Sequence, residues 1–244
     1  MAIQEYIWLF IMSLVAATVS GTAGFGASII LLPILTSIYG FIDAIPIITI
    51  AQLFSNASRA WFGHRDIAWR PIWVFLVGAV PLAIVGAFVF AWINDNVLIM
   101  LGGLFLIFVV VFRNIFPRQR MLSSKGLLIG GGATGFFAGI VGNGAPISSA
   151  LFFSLNLTAT AYVASEAVAG LVLNIVTTLI YQTFSLISLM HLWVGLYLSV
   201  AMVLGSWLGR FIVVHLNYKR FLVMVEILLV LCGLLMFFAY FVNR

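Results

Sequence analysis

Ten apolar runs, separated by short polar or charged breaks, follow one another along almost the whole chain. They form two series of five, near residues 6–20, 26–40, 42–62, 70–91 and 97–116, then 126–139, 145–157, 160–181, 190–214 and 220–242. Polar residues do not alternate with apolar ones inside the runs, as they do in the strands of a membrane barrel. Because every backbone polar group in lipid must be bonded internally, such runs predict helices. The pattern therefore predicts an all-α, polytopic transmembrane protein.

The two series match each other at an offset of 118 residues. GTAGFGA at 21–27 falls on GIVGNGA at 139–145, which gives a GxxGxGA pattern in each half, and Asn56 falls on Asn174. A repeated pattern followed by an asparagine at the same distance indicates an internal duplication. We therefore divide the chain into a first transmembrane repeat, 1–122, and a second, 123–244, which together make one integral membrane domain.

Small residues also recur at every fourth position before each glycine motif. They are Ser13, Ala17 and Gly21 in the first repeat and Gly131, Gly135 and Gly139 in the second. Small residues at this spacing line one face of a helix and let a neighbouring helix approach closely. We expect these positions to serve helix packing.

The basic residues indicate how the chain is oriented. The chain has 11 Lys and Arg against 6 Asp and Glu, and in membrane proteins Lys and Arg concentrate in cytoplasmic connections. The connection after residue 62 is basic and its counterpart after 181 is not, whereas the connection after 91 has no Lys or Arg and its counterpart after 214 is basic. This contrast predicts two inverted repeats, with both chain termini outside.

Inversion requires an odd number of net crossings in each half. A single helix over 6–40 would be about 50 Å long, too long for a hydrocarbon core of roughly 30 Å. If the chain bends at the glycines, each repeat becomes a Gly-broken hairpin of two short helices plus three long spans. We expect the two hairpin tips to meet near the middle of the membrane.

The composition excludes several classes of protein. With 64% hydrophobic and only 7% charged residues, the chain is unlike a soluble enzyme, which carries about 25% charged residues. Cys232 is the single cysteine, the three histidines have no metal-ligand spacing, and no GxxxxGK[ST] sequence for ATP binding is present. We expect no metal, no cofactor and no nucleic-acid partner.

Helices broken at glycines near the membrane centre are the usual construction of transporter sites, where the N–H groups of a half-helix point at an anion. We therefore expect the substrate to bind at the two glycine bends and at the two equivalent asparagines. These residues are Gly24, Phe25, Gly26, Ala27, Asn56, Gly142, Asn143, Gly144, Ala145 and Asn174. In the alternative interpretation the glycines serve only turns and packing, and the asparagines only interhelical hydrogen bonds.

Two charged residues in the spans are further candidates. Glu166 lies in the run at 160–181, and an ionisable group inside lipid is a functional candidate that can carry a proton; it can also lie at the interface or pair with a helix end. Glu226 is a weaker candidate for the same role. For Arg59 we favour a side chain that extends to the cytoplasmic face over one that contacts an anion.

The two glycine motifs resemble those of a known family. GTAGFGASIILLPIL at 21–35 and AGIVGNGAPISSALF at 138–152, on a polytopic chain of this length, are similar to the TauE/SafE sulfite exporter family of membrane permeases. The family's motifs map to Gly21, Gly24, Gly26, Gly139, Gly142 and Gly144. Asn143 departs from the all-glycine form of many relatives. The resemblance implies multi-pass transport in a bacterial or archaeal plasma membrane, with the lipid bilayer and a small sulfur-containing anion as partners.

These observations together predict a function that is not enzymatic. We expect a secondary transporter for sulfite, thiosulfate or an organosulfonate that works by alternating access around the two Gly-rich tips. One alternative is an anion channel of similar construction. The other is an intramembrane hydrolase that uses Ser148 or Ser149 with His191 or His215. The sequence predicts no oligomeric state.

Overall fold

The computed structural model describes residues 3–23, 27–94, 97–98, 100–102, 104–105 and 123–212. The long elements of this part are the helices α1 (Ile3–Ala23), α2 (Ser28–Tyr39), α3 (Phe41–Phe62), α4 (Trp69–Trp92), α5 (Ser124–Val141), α6 (Ala145–Phe153), α7 (Ala159–Thr183) and α8 (Leu189–Ile212). A 3-10 turn, His64–Asp66, follows α3, and the described part contains no strand. This confirms the all-α prediction. The predicted run at 220–242 and most of that at 97–116 lie outside the described residues.

The helix ends follow from local sequence signals. The Ser123 hydroxyl accepts a hydrogen bond from the Gly126 N–H at the start of α5, and the Thr158 hydroxyl accepts one from the Ala161 N–H at the start of α7. These side chains satisfy N–H groups that lack a partner within the helix. Gly40, with φ of 83°, separates α2 from α3. A positive φ of this kind is open to glycine and strained for other residues.

Five of the described helices are long and apolar enough to cross a membrane. They are Phe41–Phe62, Trp69–Trp92, Ser124–Val141, Ala159–Thr183 and Leu189–Phe211. The helices that follow the two glycine bends, α2 and α6, are shorter, with 12 and 9 residues. The sequence prediction of an all-helical protein with several apolar membrane spans is confirmed at this level.

The helices of the two series pack on each other across the halves. The first helix of each series lies against the fourth helix of the other, so α1 packs on α8 and α5 packs on α4. Helices α3 and α7 contact each other, and α3 also contacts α8 while α7 contacts α4. The pair α3 and α7 therefore lies between the two outer pairs, where side chains from both halves can meet.

Small residues make the outer helix pairs close, as the sequence predicts. A Cβ added at Gly139 would lie 2.5 Å from the Ala87 nitrogen of α4, and one added at Gly209 would lie 2.7 Å from the Thr18 carbonyl oxygen of α1. Neither position has room for a side chain against the neighbouring backbone. Ser13 and Ala17 of α1 are completely buried, which fits the same role in the first repeat.

Candidate functional site

A small polar cavity lies between α3, α5, α6 and α7. Its volume is about 20 Å³, which is room for about one water molecule. It is lined by Gln52, Asn56, Thr134, Ala138, Gly144, Ala145, Ser148, Glu166, Gly170, Leu173 and Asn174. We call it the central cavity. Polar groups gathered inside an apolar helical bundle are costly unless they are bonded or used, so this cavity is the first candidate site.

An ion pair between the two halves borders the central cavity. The Arg59 Nη1 of α3 lies 3.3 Å from the Glu166 Oε2 of α7, and the two side chains are only 4% and 1% exposed. The Arg59 Nη2 also donates to the Asn56 Oδ1. The prediction that Arg59 extends to the cytoplasmic face is therefore wrong. The carboxylate of Glu166 holds the guanidinium inside, because a buried charge is stable only when it is paired.

Glu166 has a second partner, which was not among its predicted contacts. The Ser148 hydroxyl at the beginning of α6 donates to the Glu166 Oε1 at 3.1 Å. Each carboxylate oxygen therefore accepts one hydrogen bond, from a different helix. Glu166 therefore links α3, α6 and α7 at the edge of the central cavity.

The two equivalent asparagines line the same cavity but have different environments. Asn56 is 3% exposed and its side-chain oxygen accepts from Arg59. Asn174 is 6% exposed, and its Nδ2 is buried without a hydrogen-bond partner. A buried donor without a partner costs about 1–3 kcal/mol. A ligand that accepts hydrogen bonds in the central cavity would remove that cost.

The second glycine bend is held tightly by its own residues. Gly142 has φ of 67°, and its carbonyl accepts from the Gln52 Nε2 of α3 at 3.3 Å. The Asn143 Oδ1 accepts from the Ala145 N–H at 3.1 Å, while the Asn143 Nδ2 is buried without a partner. The Tyr181 hydroxyl donates to the Gly139 carbonyl at 2.6 Å. These contacts fix the direction in which α6 leaves the bend.

The beginning of α6 differs from the expected anion cradle in one respect. Pro146 occupies the first turn, as predicted, and has no N–H. The Ala145 N–H is bonded to Asn143, and the N–H groups of Ile147 and Ser148 are bonded to the Gly144 carbonyl. These three N–H groups of α6 are therefore already bonded, and the buried side-chain N–H donors without a partner near this bend are the Nδ2 groups of Asn143 and Asn174.

The first glycine bend is only partly described. Gly24, Phe25 and Gly26 lie outside the described residues, so their predicted role stays a prediction. Ala27, the fourth predicted residue here, is 2% exposed, and its carbonyl accepts from the N–H groups at the start of α2. The Ser28 hydroxyl beside it is buried without a hydrogen-bond partner.

A second, larger cavity lies on the other side of the ion pair. Its volume is about 170 Å³, and it is lined by Gly21, Arg59, Phe62, Gly63, Ala159, Thr160, Val163, Ala164, Ser206 and Arg210. We call it the vestibule. Its wall combines apolar residues with two guanidinium groups. Arg59 lines the vestibule and Glu166 lines the central cavity, so their ion pair stands between the two.

The serine residues of α6 do not form a hydrolase site with His191. The Ser149 hydroxyl donates to the Pro146 carbonyl, and the Ser148 hydroxyl contacts Glu166 and the Ala145 carbonyl. His191 uses its two ring nitrogens elsewhere, with Nε2 3.0 Å from the Asp43 Oδ1 and Nδ1 bonded to the Ser188 N–H. His215, the other histidine considered, lies outside the described residues.

The sequence contained one signal of the ion pair that is easy to overlook. At the offset that aligns the repeats, Arg59 falls on Thr177 and Glu166 falls on Ile48. The two opposite charges are therefore each present in one repeat only. Opposite charges that each occur in only one of two equivalent apolar spans are expected to pair with each other, since neither is stable alone in lipid.

Comparison with known proteins identifies the family. Residues 9–236, nearly the whole chain, match the protein family described as sulfite exporter TauE/SafE. Neither the curated proteins nor the solved structures include a significant match. The family match confirms the resemblance carried by the two glycine motifs, and the family consists of transporters rather than enzymes. The chain therefore belongs to the TauE/SafE sulfite exporter family and is a multi-pass membrane transporter.

Proposed function

We propose that this protein is a secondary transporter that moves a small sulfur oxyanion, such as sulfite, thiosulfate or an organosulfonate, through the central cavity by alternating access. The observation that carries the proposal is a small buried cavity lined by side-chain amides inside an apolar bundle, with the guanidinium group of Arg59 paired to Glu166 at its border. Sulfur oxyanions carry several acceptor oxygens and a negative charge. Arginine and N–H donors are the groups that recognise them.

The donors near the cavity suit an anion better than a cation. Within the described residues, three buried side-chain N–H groups have no hydrogen-bond partner, and they belong to Arg59 (Nε), Asn143 (Nδ2) and Asn174 (Nδ2). Unpaired donors favour a ligand that only accepts hydrogen bonds. Among the described residues, Glu166 is the carboxylate that lines the cavity, and Arg59 and Ser148 already bond its two oxygens.

The size of the central cavity favours a carrier over a channel. A volume of about 20 Å³ is too small for a sulfite ion, which has four heavy atoms. The ion pair also separates the cavity from the vestibule. The anion would therefore need side chains or helices to move before it could bind, and a cycle of such movements is the mode of action of carriers.

Flux measurements in liposomes test the proposal. We expect the purified protein to exchange labelled thiosulfate, sulfite or a sulfonate across the membrane, with saturation at high anion concentration and without unitary current steps in a planar bilayer. Arg59→Gln/Glu166→Gln is the matched inactive protein, because it removes both charges of the cavity together. Absence of exchange for every sulfur anion would refute the transport proposal, and unitary currents would favour a channel.

We further propose that the two halves are related by an inverted two-fold repeat around α3 and α7. The reciprocal packing of α1 on α8 and of α5 on α4 supports this arrangement, as does the opposite charge of equivalent connections. Inverted repeats allow one helix bundle to rock against another around a fixed site, which exposes the site to each side in turn.

A further inference from the structure

We infer that Arg59 binds the transported anion by exchanging Glu166 for it, so that binding of the anion and protonation of Glu166 are linked. This inference rests on the proposed function and deepens it by naming the substrate's charged partner. Its starting point is that the anion and Glu166 compete for the same guanidinium group. An anion needs the guanidinium group of Arg59, but a carboxylate of the same chain already occupies one of its edges.

The position of the ion pair makes Arg59 accessible from the vestibule. Arg59 lines the vestibule together with Arg210, whereas Glu166 lines the central cavity and is 1% exposed. No carboxylate of the described residues lines the vestibule. An anion that enters between two guanidinium groups therefore meets Arg59 from the side opposite Glu166. The Arg59 Nε is buried without a partner, and it becomes a donor for the anion when the guanidinium group turns away from Glu166 toward the vestibule.

The exchange has a definite balance of charge and hydrogen bonds. The hydrogen bond from the Arg59 Nη1 to the Glu166 Oε2 breaks, and an oxygen of the anion accepts from Arg59 instead. Glu166 is then a buried carboxylate without its counter-ion, which is strongly unfavourable. One proton taken up from the bulk solvent binds to the released Oε2 and neutralises it. The Ser148 hydroxyl keeps its bond to the other oxygen, Oε1.

Within the described residues, no other side chain that lines either cavity can take up the proton. The 3-10 turn that contacts α7 carries His64, Arg65 and Asp66, and all three are exposed. The elements packed around Glu166 contribute Arg59, Gln52 and Asn56 from α3, Thr134 from α5 and Ser148 from α6. Apart from Arg59 and Glu166, the remaining ionisable group that lines either cavity within the described residues is Arg210. A guanidinium group stays protonated in proteins. The proton that accompanies the anion must therefore bind to Glu166.

Binding of thiosulfate to the purified protein in detergent tests the linkage. Thiosulfate stays fully ionised near neutral pH, so any proton that is taken up binds to the protein. For the wild type we expect uptake of about one proton per bound anion, measured with a pH indicator in weak buffer. We expect the Kd to fall about tenfold for each pH unit of acidification while free Glu166 is ionised.

Glu166→Gln is the decisive variant. Without the competing carboxylate, we expect thiosulfate to bind at least about fivefold more tightly at neutral pH, with no proton uptake and no pH dependence. Asp66→Asn is the matched control, since Asp66 is an exposed carboxylate beyond the end of α3 and lines neither cavity. It should bind thiosulfate with the wild-type pH dependence.

The possible outcomes separate this inference from the proposed function. A wild-type Kd that is independent of pH, or an E166Q protein that keeps the proton uptake, would overturn the linkage and leave transport standing. Loss of binding in folded E166Q would also overturn it, because the carboxylate would then be needed rather than displaced. If the wild type neither binds nor exchanges any sulfur anion, the proposed function fails as well.

Discussion

At the scale of single residues, the buried pair of Arg59 and Glu166 has two roles that a mutation can separate. Each charge is more than nine-tenths buried and is stable there because of the other. The pair joins α3 of the first half to α7 of the second, residues separated by 107 positions in the chain. Its contribution to folding is therefore measurable without any substrate.

We expect the single variants Arg59→Gln and Glu166→Gln each to lose about 3–5 kcal/mol of unfolding free energy at neutral pH, if the remaining charge stays ionised. The double variant should lose much less, because it leaves no charge unpaired. Unfolding in detergent, followed by circular dichroism, measures the three values. At low pH, where Glu166 can take up a proton, Arg59→Gln should recover part of its loss. Equal losses in the single and double variants would contradict the pairing.

The two asparagines should respond differently to the same substitution. Asn56→Ala removes a hydrogen bond to a charged group, so we expect a loss of about 1.5–3 kcal/mol in stability. Asn174→Ala removes a side chain whose Nδ2 makes no bond, so we expect little loss of stability but weaker anion binding. Thermal unfolding and thiosulfate binding, measured on both variants, give the comparison. Wild-type affinity in Asn174→Ala would exclude Asn174 from the site.

The sequence predicted the positions of residues near the candidate site better than it predicted their contacts. The repeated asparagines were found because the duplication marks them twice, and both line the central cavity. The predicted position of the Arg59 side chain was wrong, because an arginine near the end of an apolar run can either extend to the membrane surface or turn inward to a buried partner. Only the tertiary packing of α3 on α7 brings Glu166 within reach, and nothing in the local sequence encodes that distance.

At the scale of helices and bends, Gly142 and Gly40 have similar backbone requirements but different amounts of space around them. Gly142 and Gly40 both have positive φ, but a Cβ at Gly142 would lie 3.0 Å from the Ile45 Cγ2 and 3.1 Å from the Thr49 Oγ1, whereas one at Gly40 meets nothing within 4 Å. Substitution at either position strains the backbone by about 1–3 kcal/mol. Of these two glycines, only Gly142 is crowded against α3.

We therefore expect Gly142→Ala to reduce anion exchange per folded molecule severalfold, because it moves the bend away from Gln52 and shifts α6. Gly40→Ala should lose stability with a smaller effect on exchange. The measurement is flux in liposomes, normalised to the amount of protein that elutes as a folded species. Equal exchange by the two variants would show that the second bend does not shape the site.

The contact between α4 and α5 offers a second test at this scale. A Cβ added at Gly135 would overlap the Ala79 carbonyl of α4, whereas one added at Gly132 meets the flexible end of the Leu82 side chain at 2.8 Å. We expect Gly135→Ala to cost about 1–3 kcal/mol, since backbone must move apart, and Gly132→Ala to cost clearly less. Thermal unfolding of the two variants decides. A similar loss in both would mean that the helices separate easily.

The helices themselves were predicted closely because their signals are local. The predicted runs at 42–62, 70–91 and 160–181 became helices at Phe41–Phe62, Trp69–Trp92 and Ala159–Thr183. Glycines bound the first of these helices, and a capping threonine precedes the third. The hydrogen bonds inside the second glycine bend could not be predicted from the sequence in the same way. That the donors of α6 are taken by Asn143 and Gly144 depends on turn geometry, which a GxxGxGA pattern alone does not determine.

At the scale of the whole molecule, the packing of helices of one half against helices of the other limits how the protein can move. Because α1 packs on α8 and α5 on α4, the described helices of each half pack mainly against those of the other half. Movement of one sequence repeat as a rigid unit would break both outer pairs. We therefore expect the bodies that move in a transport cycle to be these mixed pairs, which slide along α3 and α7 and thereby open or close the central cavity.

The proposed inverted relation of the halves predicts that equivalent positions lie on opposite sides of the membrane. His64 and Gln182 lie 118 residues apart, and both are exposed just after or at the end of equivalent helices, α3 and α7. In a Cys232→Ser background, we expect a membrane-impermeant maleimide to label Gln182→Cys in intact cells. His64→Cys should react only after permeabilisation, because the basic residues around it place it in the cytoplasm. Neither substitution changes the number of Lys and Arg, so the orientation signal stays intact. Labelling of both cysteines from the same side would mean that the halves are parallel, and rocking about a two-fold axis in the membrane plane would then be impossible.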